Sequence, residues 1–574
     1  MPSNVVKPRI EIAGSPVAPE IDQLVEQIVV DDSRTLPDMF MLRFRDPEHQ
    51  VLDKAGLTLG AKVKIFGGPV GGEAKILLIS GEVTGLEAEI DETGTHVVAR
   101  GYDVTHRLQR GRNTRTFVDT SEGEIVRRIA GDAGIDLGEI EDPPTTHALV
   151  SQANQSDYDF LRGRAREIGF DLAVRGDKLY FQQPIESSSG PAAGTLQTDS
   201  PLALVLGANL NAFLPRITAA EQVSEVEVRG WDPDQQQTIR GAAQAATTSV
   251  DLGALTPAAA ASAFSSESKF VVGDRPLRKD EEVQRVAHAV AEQIGSAFAE
   301  ADGIADGDPA LRAGTAISVA GVGHPFEGRY TVTASRHVIG PSGYRTHFTV
   351  SGRQERSLLG LASGGETSGD ASAGGAPIYG VVIGVVSDCD DPQQQGRVKL
   401  KLPWLSDDYA SDWARVVGAG AGDRRGIVFT PEVQDEVLVA FEQGDVRSPF
   451  VLGGLWSGRF APPQAGDLVQ GGAVTKRVLQ SRNGHRIVLS DDGDDEGVSV
   501  MSEDGAHHVS ILTSNPGTIE IKTSGTVTIS GNSIELHGTS VSIKADSSLE
   551  LQGATVSVTG SGPTTVKGNP LALN

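Results

Sequence analysis

Apolar and polar positions alternate with period two along most of the chain, pass to a helical period in three stretches, and end in a train of triplets. The triplets occupy residues 516–574: Ile519-Glu520-Ile521, Val527-Thr528-Ile529, Ile534-Glu535-Leu536, Val541-Ser542-Ile543, Leu549-Glu550-Leu551 and Val556-Ser557-Val558. Their centres lie seven or eight positions apart, with Gly525, Gly531, Gly538, Gly553 and Gly560 among the small residues between them. Each triplet is a minimal strand that sends two apolar side chains to one face and a polar one to the other.

Strands this short pose a burial problem. A triangular β-helix takes three strands per coil, so one chain supplies about two coils, too few to enclose a core or to cover sheet edges. Three identical chains wrapped around one another would each supply one strand per coil. The twelve apolar residues would then meet on a common axis, with Glu520, Thr528, Glu535, Ser542 and Glu550 toward water. The pattern therefore predicts an intertwined trimeric β-prism. A disordered Gly/Ser tail would not alternate β-branched residues so regularly. A monomeric β-helix bearing a sugar-cleaving groove would need longer coils and clustered acids.

Upstream, residues 1–108 carry strand-like runs (VEQIVVDD, MFMLRFRD, AKVKIFGG, KILLISGEVTGLEAEI, THVVARGYD) and predict a small β-barrel. Residues 109–190 predict an α/β insert. One helix has Thr120 or Ser121 as N-cap, Glu124 for a capping box, and Ile125, Ile129 and Ala130 on its apolar face. A second is capped by Ser156 or Asp157 and buries Phe160, Leu161, Ala165 and Ile168. Residues 191–357 predict a second barrel with one long helix (DEEVQRVAHAVAEQIGSAFAEA), and the Ala/Ser/Thr-rich stretch near 241–266 reads as a mobile excursion. A flexible linker follows at 358–378, then five strand-like runs at 379–460, the count of an OB barrel. A collar at 461–515 leads into the triplets. The fold class is mainly β.

Composition agrees with this. The chain has 574 residues, 68 glycines and few aromatics, and its length suits about three to five domains. A formal net charge of -26 argues against a nucleic-acid partner. The single Cys389, set among Asp388, Asp390 and Asp391, permits no intramolecular disulfide and is a poor nucleophile there. The N-terminus lacks a secretory pattern and no apolar run reaches about eighteen residues, so synthesis in a cytoplasm without signal peptide is expected.

Candidate chemistry is sparse. The acids Asp491, Asp492, Asp494, Asp495 and Glu496 have oxygen ligands for Ca²⁺ but lack a full spaced loop, so a solvated hairpin turn competes with a metal site. His507 and His508 could place imidazoles around a threefold axis. Asp407-Asp408 and Glu139, Glu141 and Asp142 read as solvated loop acids rather than an acid/base pair. No G-x-S-x-G elbow or Walker loop is present. No catalytic residue, cofactor or metal is predicted.

The segments GYDVTHRL, QSDYDFLRGRAREIGF, DPQQQGRVKLKLPWL, SDWARVV and PEVQDEVLVAFEQGDVRSPFVLGGLW, followed by the triplet rod, resemble the VgrG-like hub-and-spike proteins of contractile injection machines. These serve type VI secretion, contractile phages and extracellular injection particles. The resemblance implies a trimeric hub of paired barrels joined to a hexameric inner tube, and baseplate neighbours. It also implies an OB adaptor, a piercing rod, and a PAAR-type tip protein seated on Pro570, Leu571, Ala572, Leu573 and Asn574. The lysozyme domain and C-terminal effector domain of some relatives have no counterpart before Asn574, which favours a structural spike in a particle that is cytoplasmic or released. A type VI spike carrying effector cargo, and a tail-associated cell-wall or polysaccharide hydrolase, are the alternatives.

Overall fold

A computed structural model describes residues 8–572 apart from 69–74, 93, 233–234, 265–267, 274–276, 354–377, 406, 408, 445, 447, 494 and 515. The Gly/Ser stretch at 363–377, most of the expected linker, thus lies outside the described residues. The chain divides into two compact units, 1–460 and 461–574.

The first unit is built on an eleven-stranded sheet among the described residues. Its N-terminal part has Met39–Arg45 between Val25–Ser33 and Gly94–Tyr102, continuing to Ile76–Asp91, Lys62–Gly67 and Arg9–Ile12. Alternation decides which face is inside: Phe40, Leu42 and Phe44 are fully buried while Met39, Met41 and Arg43 are only partly covered. Each buried phenylalanine contributes about 1.5–3 kcal/mol of transfer free energy. Gly101 is obligatory here, since a Cβ on it would sit 2.2 Å from the Glu82 carbonyl oxygen and 2.4 Å from the Phe40 ring.

The two stretches expected to form barrels share this sheet. Ala334–Gly340 pairs antiparallel with Val25–Ser33, placing His337 opposite Val30, and the sheet continues through Gly343–Val350 and Ala299–Asp306 to Leu210–Ile217. Within the α/β part, Ser121 caps helix Glu122–Asp132 in a full capping box with Glu124. Ser156 caps Asp157–Ile168, which ends at the left-handed Gly169. Ile125, Ile129, Phe160, Leu161 and Ala165 pack with Leu179 and Phe181 as one core.

The Ala/Ser/Thr-rich stretch near 241–266 differs from expectation. It contains strand Gln237–Gln244, the short strand Val250–Asp251 and helix Pro257–Ser262. Its small residues let helix Asp280–Ser296 lie close: a Cβ on Gly241 would meet the Gln284 nitrogen at 2.8 Å, and one on Gly295 the Ala246 carbonyl at 2.2 Å. Low side-chain bulk thus serves packing, not looseness.

Five strands in the order Lys399–Lys401, Val382–Asp388, Glu436–Phe441, Pro449–Gly454, Arg415–Val416 form the OB-type sheet. Val386, Val398, Leu400, Val437, Val439 and Val451 fill its core. Asp391 braces the turn before Lys399–Lys401, accepting from the Arg397 guanidinium at 2.8 and 3.0 Å and from the Gln393 and Gln395 N–H groups. The Arg397 hydrogen bonds hold its carboxyl well below the usual carboxylate range.

The second unit opens with a short hairpin and continues as a five-stranded antiparallel meander, Lys476–Gln480, Arg486–Ser490, Gly497–Met501, His508–Leu512 and Thr518–Lys522. Beyond Lys522 the described residues form no helix or strand. Among the described residues no helix is long and apolar enough to cross a membrane.

Candidate assembly surface

Strict register gives the meander two unlike faces. On one, Leu479, Ile487, Val500, Val509 and Ile521 stand in a cross-strand row. Beside it runs a second row of Arg477, Leu489, Val498, Ile511 and Ile519. All nine apolar side chains are exposed in the single chain, from Ile487 at 39% to Ile519 at 72%. On the other face, Ser499, Ser510 and Glu520 succeed Val488. A contiguous apolar sheet face open to water is the mark of an interface, since scattered single hydrophobes do not line up in register.

Apolar residues stay uncovered past the last strand as well. Val527, Ile529, Ile534, Leu536, Val541, Ile543, Leu549, Leu551, Val556 and Val558 are all exposed, with Val558 at 75%. Every described residue over 524–572 is exposed. These apolar pairs, at a spacing of seven or eight residues, thus have no ladder partner among the described residues. At the far end Pro570, Leu571 and Ala572 are exposed, and Leu573 and Asn574 lie outside the described residues.

The apolar rows begin well before residue 516, in the stretch read from sequence as a collar. Val498-Ser499-Val500 and Val509-Ser510-Ile511 have the triplet form and were a legible signal. Ile487-Val488-Leu489 hides it because its central residue is also apolar.

The other candidate residues are placed as follows. His508 stands on the face away from the apolar rows, its ring nitrogens 3.0 Å from the Gly505 carbonyl and 3.3 Å from Glu520. Those two acceptors, the carbonyl first, raise its pKa above the ordinary histidine value. His507 lies 2.6 Å from the Thr523 hydroxyl. Asp491 accepts from Arg477 at 2.5 Å, and the Asp495 N–H donates to the Asp492 carbonyl across the turn; Asp494 lies outside the described residues. Asp142 accepts from Ser121, Gly123 N–H and Arg127 at the start of helix Glu122–Asp132. Asp407 pairs with Arg240, and Asp408 lies outside the described residues. Among the described residues no three His, Cys, Asp or Glu side chains gather as a metal site.

Sequence reading missed one joint inside the first unit. Glu436, at the start of an OB strand and 3% exposed, accepts from Trp231 Nε1 and from Gln236 Nε2, both at 3.1 Å. Arg229 and Arg240 both face Asp407 nearby. The only sequence signal was an acid opening an apolar run in DEVLVAF.

Comparison with known proteins adds the family. A model described as the Alg8 N-terminal domain matches residues 42–340, more than half of the chain. The chain belongs to the Alg8 N-terminal domain family. Behind that domain, the model of the type VI secretion system/phage-baseplate injector OB domain matches residues 382–456, spanning the OB strands from Val382–Asp388 to Pro449–Gly454.

This family member is similar to the type VI secretion system spike protein VgrG5 of Pseudomonas aeruginosa, 40% identical over 80 residues, 13% of this chain and 10% of that one. It is similar also to the actin cross-linking toxin VgrG1 of Vibrio cholerae, 31% identical over 94 residues, 15% of this chain and 8% of that one. The chain therefore spans only a small part of the length of the curated relatives it matches. Among solved structures, the 43 kDa tail protein of prophage MuSo2 from Shewanella oneidensis aligns with 60% of this chain and 98% of its own, at TM-score 0.44 and 14% identity. The E. coli c3393 protein, a component of the type VI secretion system, aligns with 78% and 99%, at TM-score 0.37 and 14% identity.

Proposed function

We propose that three copies of this chain form the hub and spike at the front of the inner tube of a contractile injection particle. The observation that carries the reading is the uncovered apolar sheet face from Leu479 to Ile521, followed by exposed apolar pairs as far as Val558, which the chain does not bury by itself. In a trimer the two rows of the meander turn toward the threefold axis, and the triplets beyond it supply strands to coils shared by three chains. The result is a narrow rod with its polar triplet centres in water.

The first unit acts as the hub, seated on a hexameric tube protein and contacted by baseplate proteins. The OB barrel links it to the rod, and Glu436 with its Trp231 and Gln236 donors stiffens the joint between the OB barrel and the rest of that unit. Pro570, Leu571, Ala572, Leu573 and Asn574 seat a tip protein of the PAAR type. The role is mechanical: contraction drives the tube forward, and the rod concentrates force on the envelope. The similarity to spike proteins and the match to the injector OB domain support this reading.

Light scattering before and after warm SDS tests it. The expected outcome is a mass near three chains that survives detergent, because unfolding such a rod requires separating all three strands at once. A monomer at all concentrations would overturn the reading.

A further inference from the structure

Between strands Arg415–Val416 and Glu436–Phe441 the OB barrel puts out an arm in which every residue from Ala419 to Thr430 is exposed. The arm folds on itself. The Ile427 N–H donates to the Ala419 carbonyl at 3.0 Å, and Gly422 and Arg425 exchange backbone hydrogen bonds around the tip. Both roots are fixed to the barrel: the Val417 N–H donates to the Val451 carbonyl and the Gln434 N–H to the Val386 carbonyl, each at 2.9 Å. Val451 and Val386 belong to the OB core. Just past the second root, buried Glu436 is held by Trp231 and Gln236. The arm is thus held out from the barrel by anchored ends.

Its side chains are not those of a solvated loop. Ile427, Val428 and Phe429 stand in a row and are 56%, 82% and 60% exposed. Val417 at the first root and Leu452 on the strand beside it are uncovered too. Scattered single hydrophobes need no explanation, but a run of large ones does. At the tip, beside Asp423, Arg424 and Arg425 are exposed, and neither joins an ion pair among the described residues. A basic tip is complementary to the surface of another copy of this chain, whose formal net charge is -26.

We propose that the arm docks on the OB barrel of a second copy, each copy clasping the next around the threefold axis. This rests on the trimeric hub and spike proposed above. Arm and receiving surface are different parts of the barrel, so the contact is head-to-tail, and the rotation fixed by the rod closes it into a ring of three. Ile427, Val428 and Phe429 form the apolar centre of the contact, and Arg424 and Arg425 its charged rim.

Ultraviolet cross-linking of the full-length protein, with p-benzoylphenylalanine in place of Val428, tests this. Covalent two- and three-chain species are expected in boiled SDS, at a yield unchanged by dilution, with the joined peptide in the OB barrel of another copy. Replacing Arg424→Glu and Arg425→Glu together should lose most of that yield while the three-chain mass by light scattering persists, since the rod still holds the copies together. A three-chain mass with no cross-linked species, or with adducts confined to one chain or outside the OB barrel, would overturn the arm contact alone. A yield that falls on dilution would overturn it as well, because the contact would then lie between separate particles. So would an undiminished yield in the charge variant. A monomer mass would sink the trimer and the arm contact together.

Discussion

The strand Met39–Arg45 and the strand Gly497–Met501 have the same local grammar and opposite fates. In the first, the alternate Phe40, Leu42 and Phe44 are fully buried by other parts of the same chain. In the second, Val498 and Val500 are 40% and 51% exposed. The difference lies in what surrounds them. Residues of the first unit return from far along the chain to close over each strand, as Ile339 and Tyr344 do in joining the core of Phe40. Among its described residues the second unit has a two-stranded hairpin, one five-stranded meander and a tail without strands, and none of them covers the apolar face. One region covers its apolar strand faces from within the chain; the other leaves them exposed.

The largest effect that would break this contrast is expected from Ile529→Asp. Three carboxylates would face one another on the axis of the rod, and buried like charges without partners cost several kcal/mol each. Loss of the three-chain mass is expected by light scattering, with the hub still folded by circular dichroism. A wild-type-like trimer would sink the axial placement.

A change of second rank is Phe40→Ala, which empties a fully buried site in the first unit. Its cost is about 3–5 kcal/mol, seen as a lower denaturant midpoint for the hub transition while the detergent-resistant rod persists. Simultaneous loss of both transitions would show that the two regions do not fold independently.

The smallest effect concerns acid. His337 is fully enclosed, with Tyr344 and Thr346 hydroxyls 2.9 and 3.1 Å from Nδ1. Burial, then the charge of Arg312, lowers its pKa from 6.5 to about 3. The unfolded chain therefore binds the proton more tightly between those values. His337 contributes stability that is fully present above pH 6.5 and is lost as pH falls toward 3. The buried Asp38 and Asp103 act the other way, since burial raises both. Comparison of hub unfolding in wild type and His337→Gln across that window isolates the histidine: the wild type should lose more stability on acidification. Parallel curves would remove it as a source of acid sensitivity.

Much of this was legible in sequence because it is local. Period-two alternation marks the strands, Ser121 with Glu124 marks a helix start, and the triplets mark paired apolar positions that the chain leaves exposed. The count of five OB strands could likewise be read from their runs. What local pattern could not carry was which distant segments meet. Nothing in VEQIVVDD or TASRHVIG says that Val25–Ser33 pairs with Ala334–Gly340 and fuses the two expected barrels into one sheet. Nor does anything near Arg34 announce its partner Asp171, 137 positions away. Small residues near 241–266 were read as looseness, whereas the helix lying against Gly241 makes them a packing requirement. A side chain's face follows from backbone geometry within a few residues, so the sequence alone determines it. Its covering partner depends on how the whole chain closes, and only the tertiary structure decides that.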